Sequence, residues 1–534
     1  MYFRCVRSVI GCGNLRLRAE IVVTGIVQGI GFRPFIYRVA SRNGLVGFVR
    51  NRGDGCVEIV VEGKEEKIQW FIQAITKEAS ALTQIHSLNT TYGEDKNEFK
   101  DFRIFGSFEA RSISGSVIPP DISICDKCLE ELQDPENMRY NYFFITCTEC
   151  GPRYTVINRL PYDRVNITMI DFPMCEACEK EYTEPLNRRF HAQTIACNIC
   201  GPKVFLTTSN GECLECNDPT KEAGRLLEEG FIVAVKGNGG FHIATSTLKS
   251  EPIIKLRKVK HRAQKPFAIM AQSLETIKTF AKVSRSEAEL LTSYIKPIVL
   301  LEKNEGHYLS EEISPGLHNI GVMLPYTGLH HILFYDVKEP AFVMTSANQP
   351  SEPIIKENEE AIKKLGSTVN YFLLHNRKIA QRCDDSVVRF NGRNQCIIRR
   401  SRGYTPTPIH LKHHSEKCVM GVGAEENVTG CIIEGDRAFL TQYVGDVDRF
   451  ETLDFLKEVL NHLMRLTNTK IDVVACDLHP KFNTTKLAFE FADRFGCDVV
   501  AVQHHHAHLA SLMGEYGIED VVGIVCDGFG YGLD

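Results

Sequence analysis

Eight cysteines fall into four Cys-x-x-Cys pairs, Cys125/Cys128, Cys147/Cys150, Cys175/Cys178 and Cys197/Cys200, with 18, 24 and 18 residues between pairs. A two-residue gap lets both sulfurs of a pair point into one tight turn, and an 18-residue excursion brings the second pair back opposite it. Four thiolates arranged in this way suit a tetrahedral zinc ion, and the row offers two such sets. Cys150-Gly151-Pro152 and Cys200-Gly201-Pro202 close the second pair of each set, so the same turn is used twice. The sites are assigned within each unit of two pairs, and an interleaved pairing is the alternative that spacing leaves open. In units this small a metal stands in for a missing apolar core. A further pair, Cys213/Cys216, has no partner pair and reads equally well as two free thiols or an auxiliary site.

Three other constellations could do chemistry. Residues 20–33 read as an apolar strand, a turn punctuated by Gly25, Gly29 and Gly31, and a helix over 34–43. Such a turn can aim several backbone N–H groups at one anion, and Arg33 at its end could clamp phosphate oxygens. A strand over 46–51 ends in Asn51, an uncharged donor and acceptor suited to orienting a water. Further on, a strand over 231–235 runs into Lys236-Gly237-Asn238-Gly239-Gly240, followed by a basic helical stretch over 256–267. Its Lys260, Arg262 and Lys265 could meet a triphosphate, the bland alternative being a solvated helix face. A strand over 341–344 places Ser346 and Asn348 at its carboxyl end, where ligands bind in α/β sheets. Last, a strand over 498–502 leads into a helix on which His504 and His508, four apart, share one face, as two metal ligands must. Another strand, over 521–526, delivers Asp527 and alternating glycines, which suit a metal-nucleotide site. The polar stretch 410–417 reads as a linker, and its histidines are assigned no chemistry.

The elements that position these groups need several cores. A chain of 534 residues is too long for one, and about three to four domains are expected. With 62 Lys plus Arg against 67 Asp plus Glu, a net charge of −5 offers no global attraction to nucleic acid or to an anionic membrane. No apolar run approaches the ~20 residues that span a bilayer. Residues 1–18 carry four Arg and no acid but no secretory apolar segment, and read as a short extension. Twenty cysteines without an export signal favour a reducing cytoplasm, where thiols serve metals or stay free.

The strings also resemble known families. Val23-x-Gly25-x-Val27-Gln28-Gly29-Ile30-x-Phe32-Arg33 resembles the acylphosphatase signature over 19–108, which implies a ferredoxin-like sandwich. In it Arg33 and the loop amides bind the phosphoryl group, and Asn51 places the attacking water. Lys-x-Arg and Ser-x-Asn strings within 220–410 resemble YrdC-like α/β domains, which implies that Lys260, Arg262, Lys265, Ser346 and Asn348 bind ATP and a carboxylate-like substrate. The segments from Arg382 to Arg389 and from Arg399 to Pro406 look like that family's closing strings. From about 418 the chain is similar to the carbamoyltransferase domain of the actin-like ATPase superfamily, with His504, His508 and Asp527 as candidate ligands. Only the first half of that fold is expected before Asp534, and Asn427 stands where relatives commonly carry a lysine.

The expected order is an extension at 1–18, an acylphosphatase-like domain at 19–108, a double zinc-finger unit at 115–217, a YrdC-like domain at 220–410 and a partial transferase domain at 418–534. That order resembles the hydrogenase-maturation carbamoyltransferase family, HypF, which is multidomain α/β and α+β. The resemblance implies carbamoyl phosphate and ATP with Mg as substrates, two structural zincs and a further divalent metal in the last domain. It also implies carbamoyl adenylate as intermediate and the C-terminal cysteine of HypE as acceptor, on the way to a cyanide ligand of a nickel-iron hydrogenase. The rival readings are a tRNA threonylcarbamoylation-type enzyme and a zinc-organised scaffold without activity.

Overall fold

The structure is a computed structural model that describes residues 16–52, 56–79, 82–106, 118–349, 352–528 and 530–532. The expected extension therefore lies almost wholly outside the described residues, as does Phe529 in the glycine string. Two compact units form, one from the N-terminal residues with Thr183–His191 and one from Val117–Tyr182 with Ala192–Asp534.

In the first unit, β1 (Arg16–Ile26) alternates buried and open side chains and is followed by α1 (Phe32–Arg42), β2 (Val46–Asn51), β3 (Val57–Lys64), α2 (Glu65–Lys77), β4 (Gln84–Glu94) and β5 (Phe102–Ile104). The sheet order is β4-β1-β3-β2-β5, with β1 antiparallel to β3 and β4, and β2 parallel to β5. This is the ferredoxin-like arrangement. Ile36 and Val39 of α1, with Ile68, Phe71 and Ile75 of α2, are buried at helical spacing. The helix α1 starts two residues before the expected 34, because Gly31 at φ 75° turns the chain into it and Pro34 sits in the first turn, where no N–H is needed.

The second unit opens with the cysteine row. Cys128 lies on α3 (Asp126–Gln133) and Cys178 on α4 (Glu176–Thr183). A ten-stranded mixed sheet follows. From edge to edge it runs Asn394–Arg399, Val387–Asn391, Ile298–Glu302, Asn319–Met323, Ala268–Ala271, Ala341–Ser346, Phe241–Ser246, Val233–Lys236, Tyr371–His375 and Val204–Thr208. The last of these strands follows directly on the second cysteine unit and pairs antiparallel with Tyr371–His375. Phe241, Ile243, Leu256, Phe267, Ile269 and Val343 belong to the core over this sheet.

The basic stretch differs from expectation. The helix Ser250–Val259 ends at Lys260, and His261 takes a left-handed φ of 48°, so Arg262 and Lys265 lie in a loop rather than on a helix face. Residues 410–417 are not a linker either. They form part of the strand Ile409–Gly421, paired antiparallel with Cys431–Leu440 through two register shifts. The polar composition that suggested a linker reflects a strand that is largely open to solvent. Val473–Asp477 and Asp498–Val502 extend this sheet in parallel, with helices Phe450–Thr467, Asn483–Phe495 and His504–Tyr516 between and after them. The strand expected over 521–526 is absent, and Val522 and Ile524 are exposed. Among the described residues no neighbouring strand pairs with this segment, and an extended chain becomes a strand only when its backbone groups find partners.

Candidate active sites and metal centres

In the first unit β1 and β2 are both antiparallel to β3, so their carboxyl ends lie at the same edge of the sheet. That topology brings the turn after Ile26 and the side chain of Asn51 to one end. Gly29 and Gly31 adopt left-handed φ values of 71° and 75°, a conformation that lets the turn present backbone N–H groups outward. Arg33 stands half-buried in the first turn of α1. Asn51 is 1% exposed, and among the described residues its Oδ1 finds no hydrogen-bond partner, which leaves a buried acceptor available.

The eight row cysteines gather as two sets, Cys125/Cys128/Cys147/Cys150 and Cys175/Cys178/Cys197/Cys200, which settles the pairing within units. Sulfur–sulfur distances are 3.5–3.8 Å in the first set and 3.6–3.8 Å in the second. Four sulfurs about 2.3 Å from a central ion in tetrahedral geometry stand about 3.8 Å apart, so both sets fit zinc without rearrangement. The Gly-Pro turns are tight: a Cβ on Gly201 would lie 1.8 Å from the Tyr142 hydroxyl, and one on Gly151 2.5 Å from the Thr146 methyl. Arg139 of the first set donates to Cys178 of the second at 3.5 Å and pairs with Glu181, placing a cation beside a ligand thiol. Cys213 and Cys216 gather no third His, Cys or carboxylate among the described residues.

All five cleft residues named from sequence line one cavity of about 530 Å³. Lys260 Nζ donates to Ser346 O at 2.7 Å and to Asn348 O and Oδ1 at 3.2 Å. Ser346 Oγ donates to Asn348 Oδ1 at 3.3 Å, and Arg262 reaches Thr345 Oγ1 at 3.3 Å. Burial, with Arg262 alongside, pushes the Lys260 amine down to about 7, and burial likewise lowers Arg262 and Lys265. Burial is the main cause for all three, with Arg262 adding to it at Lys260 and Lys265, so an anionic ligand would relieve them. Arg399 pairs with Asp384 at 3.1 Å on the same wall. Asp385 is held ionised, because Arg402 at 2.6 Å and His242 at 2.9 Å outweigh the burial that opposes its charge.

The cavity has a second wall that motif reading missed. Gln442, Tyr443, Val444, Gly445, Asp446 and Phe455, from the last domain, also line it. Tyr443 packs its ring against the Arg399 guanidinium at 4.2 Å, and its hydroxyl donates to Asn427, the residue in place of the expected lysine.

In the last domain His504, His508 and Asp527 converge. His504 Nε2 lies 2.8 Å and His508 Nε2 3.2 Å from Asp527 Oδ2, and the two imidazole nitrogens are 3.2 Å apart. Two imidazoles and a carboxylate meeting at one point suit a divalent transition metal. Sequence reading missed the next residue in the chain of contacts. Asp477, buried at the end of its strand, stands 2.6 Å from His504 Nδ1 and accepts from the His479 backbone at 2.8 Å. A carboxylate on the outer ring nitrogen fixes which nitrogen faces the metal. The signal in the sequence was only an acid at a strand's carboxyl end, in Cys476-Asp477-Leu478-His479.

Comparison with known proteins follows the same division. Residues 19–104 match the acylphosphatase family, 124–157 and 174–207 the HypF finger, 225–401 the Sua5/YciO/YrdC family described as telomere recombination, and 414–515 the HypF Kae1-like domain. The probable carbamoyltransferase HypF of Methanocaldococcus jannaschii is 47% identical over 525 residues, 98% of this chain and 68% of that protein. Carbamoyltransferase HypF2 of Cupriavidus necator is 42% identical, over 97% of this chain and 66% of its own length. A crystal structure of full-length HypF in a phosphate- and nucleotide-bound form superposes with a TM-score of 0.92 at 41% identity, covering 98% of this chain and 68% of that one. The HypF of T. kodakarensis gives 0.90 at 46% identity, covering 97% and 66%. The chain thus spans about two thirds of the length of these relatives. A likeness that runs through four domains in the same order, finger units included, leads to one conclusion: the chain belongs to the HypF family of carbamoyltransferases.

Proposed function

We propose that this chain uses carbamoyl phosphate and ATP to activate a carbamoyl group for transfer to a thiol. The observation that carries the reading is the convergence of Lys260, Arg262, Lys265, Ser346 and Asn348 on one cavity whose cations are disfavoured by burial. In the first step Arg33 and the amides of the glycine turn hold the phosphoryl group of carbamoyl phosphate, and Asn51 orients water, giving carbamate and phosphate. No covalent intermediate is needed, so positioning and charge stabilisation carry the rate. In the second step a carbamate oxygen attacks the α-phosphorus of ATP, giving carbamoyl adenylate and pyrophosphate. Lys260, Arg262 and Lys265 take up the charge on the polyphosphate, which enters with Mg, while Ser346 and Asn348 hold the carbamate. In the third the thiol of a C-terminal cysteine of HypE takes the carbamoyl group, releasing AMP and a proton. That thiocarboxamide leads to the cyanide ligand of a nickel-iron hydrogenase.

His504, His508 and Asp527 would hold a divalent metal in the transferase domain, where such an ion supplies Lewis-acid and template chemistry. The domain bounds that go with this reading are 19–108, 115–217, 220–410 and from 418 onward. Reduced thiols fit a cytoplasmic setting. No described helix is long and apolar enough to cross a membrane. The test is exchange of labelled pyrophosphate into ATP that depends on carbamoyl phosphate. Wild type is expected to exchange, and Lys260→Ala to lose at least about a hundredfold. Release of ADP instead of AMP, or exchange indifferent to carbamoyl phosphate, would refute the scheme.

A further inference from the structure

The two cysteine sets are repeats in sequence, yet their surroundings are not alike. In the first set, the Arg153 guanidinium donates to the carbonyls of Cys147, Thr148, Cys150 and Pro152 at 3.0–3.3 Å, so one buried side chain closes the whole turn that carries two ligand thiols. Asp121 ties down the backbone on either side of the next residue, accepting from Arg153 N at 2.8 Å, Thr155 N at 3.1 Å and Thr155 Oγ1 at 2.6 Å. Between these anchors stands Tyr154, fully buried, whose hydroxyl donates to Gln442 Oε1 at 2.7 Å. Gln442, also fully buried, donates its amide to Arg382 O at 2.6 Å. The Arg382 guanidinium in turn holds Ile354 O at 3.1 Å and Glu458 at 2.8 Å. Gln442, Arg382 and Ile354 all line the 530 Å³ cavity. In the second set Lys203 and Val204 occupy the places of Arg153 and Tyr154, and Lys203 is exposed. Among the described residues, Lys203 and Val204 make no side-chain hydrogen bond to the cavity wall that matches that of Tyr154.

We propose that Tyr154 is a positioning residue of this cavity: its hydroxyl, held by the metal-closed turn of the first cysteine set, fixes the Gln442 amide and with it the wall at Arg382 and 442–446. The turn that closes the first cysteine set, and not its counterpart in the second, thereby supports the cavity wall. Burial raises the Tyr154 hydroxyl well above its ordinary range, so it remains a donor throughout the working pH. Gln442 depends on it, since a buried amide that loses a partner must reorient or go unsatisfied. The inference rests on the cavity's being the nucleotide site.

The experiment titrates the full chain with MgATP, alongside zinc content and phosphate release from carbamoyl phosphate. Tyr154→Phe keeps the ring and removes only the donor. It is expected to weaken ATP binding about tenfold and raise the ATP KM in pyrophosphate exchange, with zinc content and phosphate release unchanged. Gln442→Met breaks the same link from the other side, and the double variant should be no weaker than the weaker single, because both remove one interaction. Tyr182→Phe removes a hydroxyl bonded to Gln193 at 3.2 Å within the second set and should leave ATP binding alone. Unchanged affinity in Tyr154→Phe, additive losses in the double variant, or an equal loss in Tyr182→Phe would overturn the inference. Failure of the wild-type chain to bind ATP would instead overturn the nucleotide reading, and the inference with it.

Discussion

Two side chains concentrate the chemistry at the residue scale. Lys260 has three acceptors around its amine, which favour the ammonium, against burial and two neighbouring cations, which win and bring it to about 7. A polyphosphate would favour the charged form and raise that value again. Binding therefore takes up a proton whenever the free amine is neutral, and ATP affinity should fall as pH rises above about 7, by up to about tenfold per unit. Titrations with ATP across this range should show the slope in wild type and its loss in Lys260→Met; parallel curves would exclude Lys260 as the source. The second side chain is Asp477, whose carboxylate holds His504 Nδ1 at 2.6 Å. Asp477→Ala should lower Co(II) or Zn(II) affinity of the last domain about 10- to 100-fold without altering the far-UV spectrum. Equal affinities would mean that His504 needs no such support.

At the scale of elements, the Gly-Pro turns decide whether the cysteine sets close. Gly201 has no room for a methyl group, its Cβ position overlapping the Tyr142 hydroxyl and lying 2.6 Å from Ala196 Cβ. Gly201→Ala should cost about 1–3 kcal/mol by overpacking and release zinc earlier in a thermal ramp followed with a chromophoric chelator. A ramp that matches wild type would mean that Tyr142 yields without cost. The Gly25, Gly29 and Gly31 turn has a different role. Gly29 and Gly31 take left-handed backbone there, and β1 and β2 bring the turn and Asn51 to one end of the sheet together because β3 lies between them. The basic segment after Ser250–Val259 shows the limit of charge patterning: it ends a helix instead of extending one, and this brings Arg262 back over the cavity.

Across the whole molecule, the parts legible in the sequence are those whose chemistry is local. Cys-x-x-Cys spacing, the glycine turn and the i, i+4 histidines are short-range geometry: the cysteine sets and His504 with His508 come together, and Gly29 and Gly31 take left-handed φ values. What was hidden depends on chain segments that meet only in the fold. Gln442 lies 288 residues from Tyr154 and carries no motif, and Asp477 reaches His504 because two parallel strands place their carboxyl ends side by side. The strand Ile409–Gly421 was concealed by its own polar residues, since a solvent-facing strand lacks the apolar alternation that would announce it. The stretch 521–526 errs the other way, apolar enough for a strand but without a partner among the described residues. By itself, then, the sequence pointed to the groups proposed to bind zinc, phosphate or a divalent metal, because ligand type and turn geometry are set within a few residues. Only the tertiary structure decided that the cleft cations share a cavity with residues of the last domain and that Tyr154, just after the first cysteine set, bonds to Gln442 on its wall, because those contacts arise from packing between segments far apart in the chain.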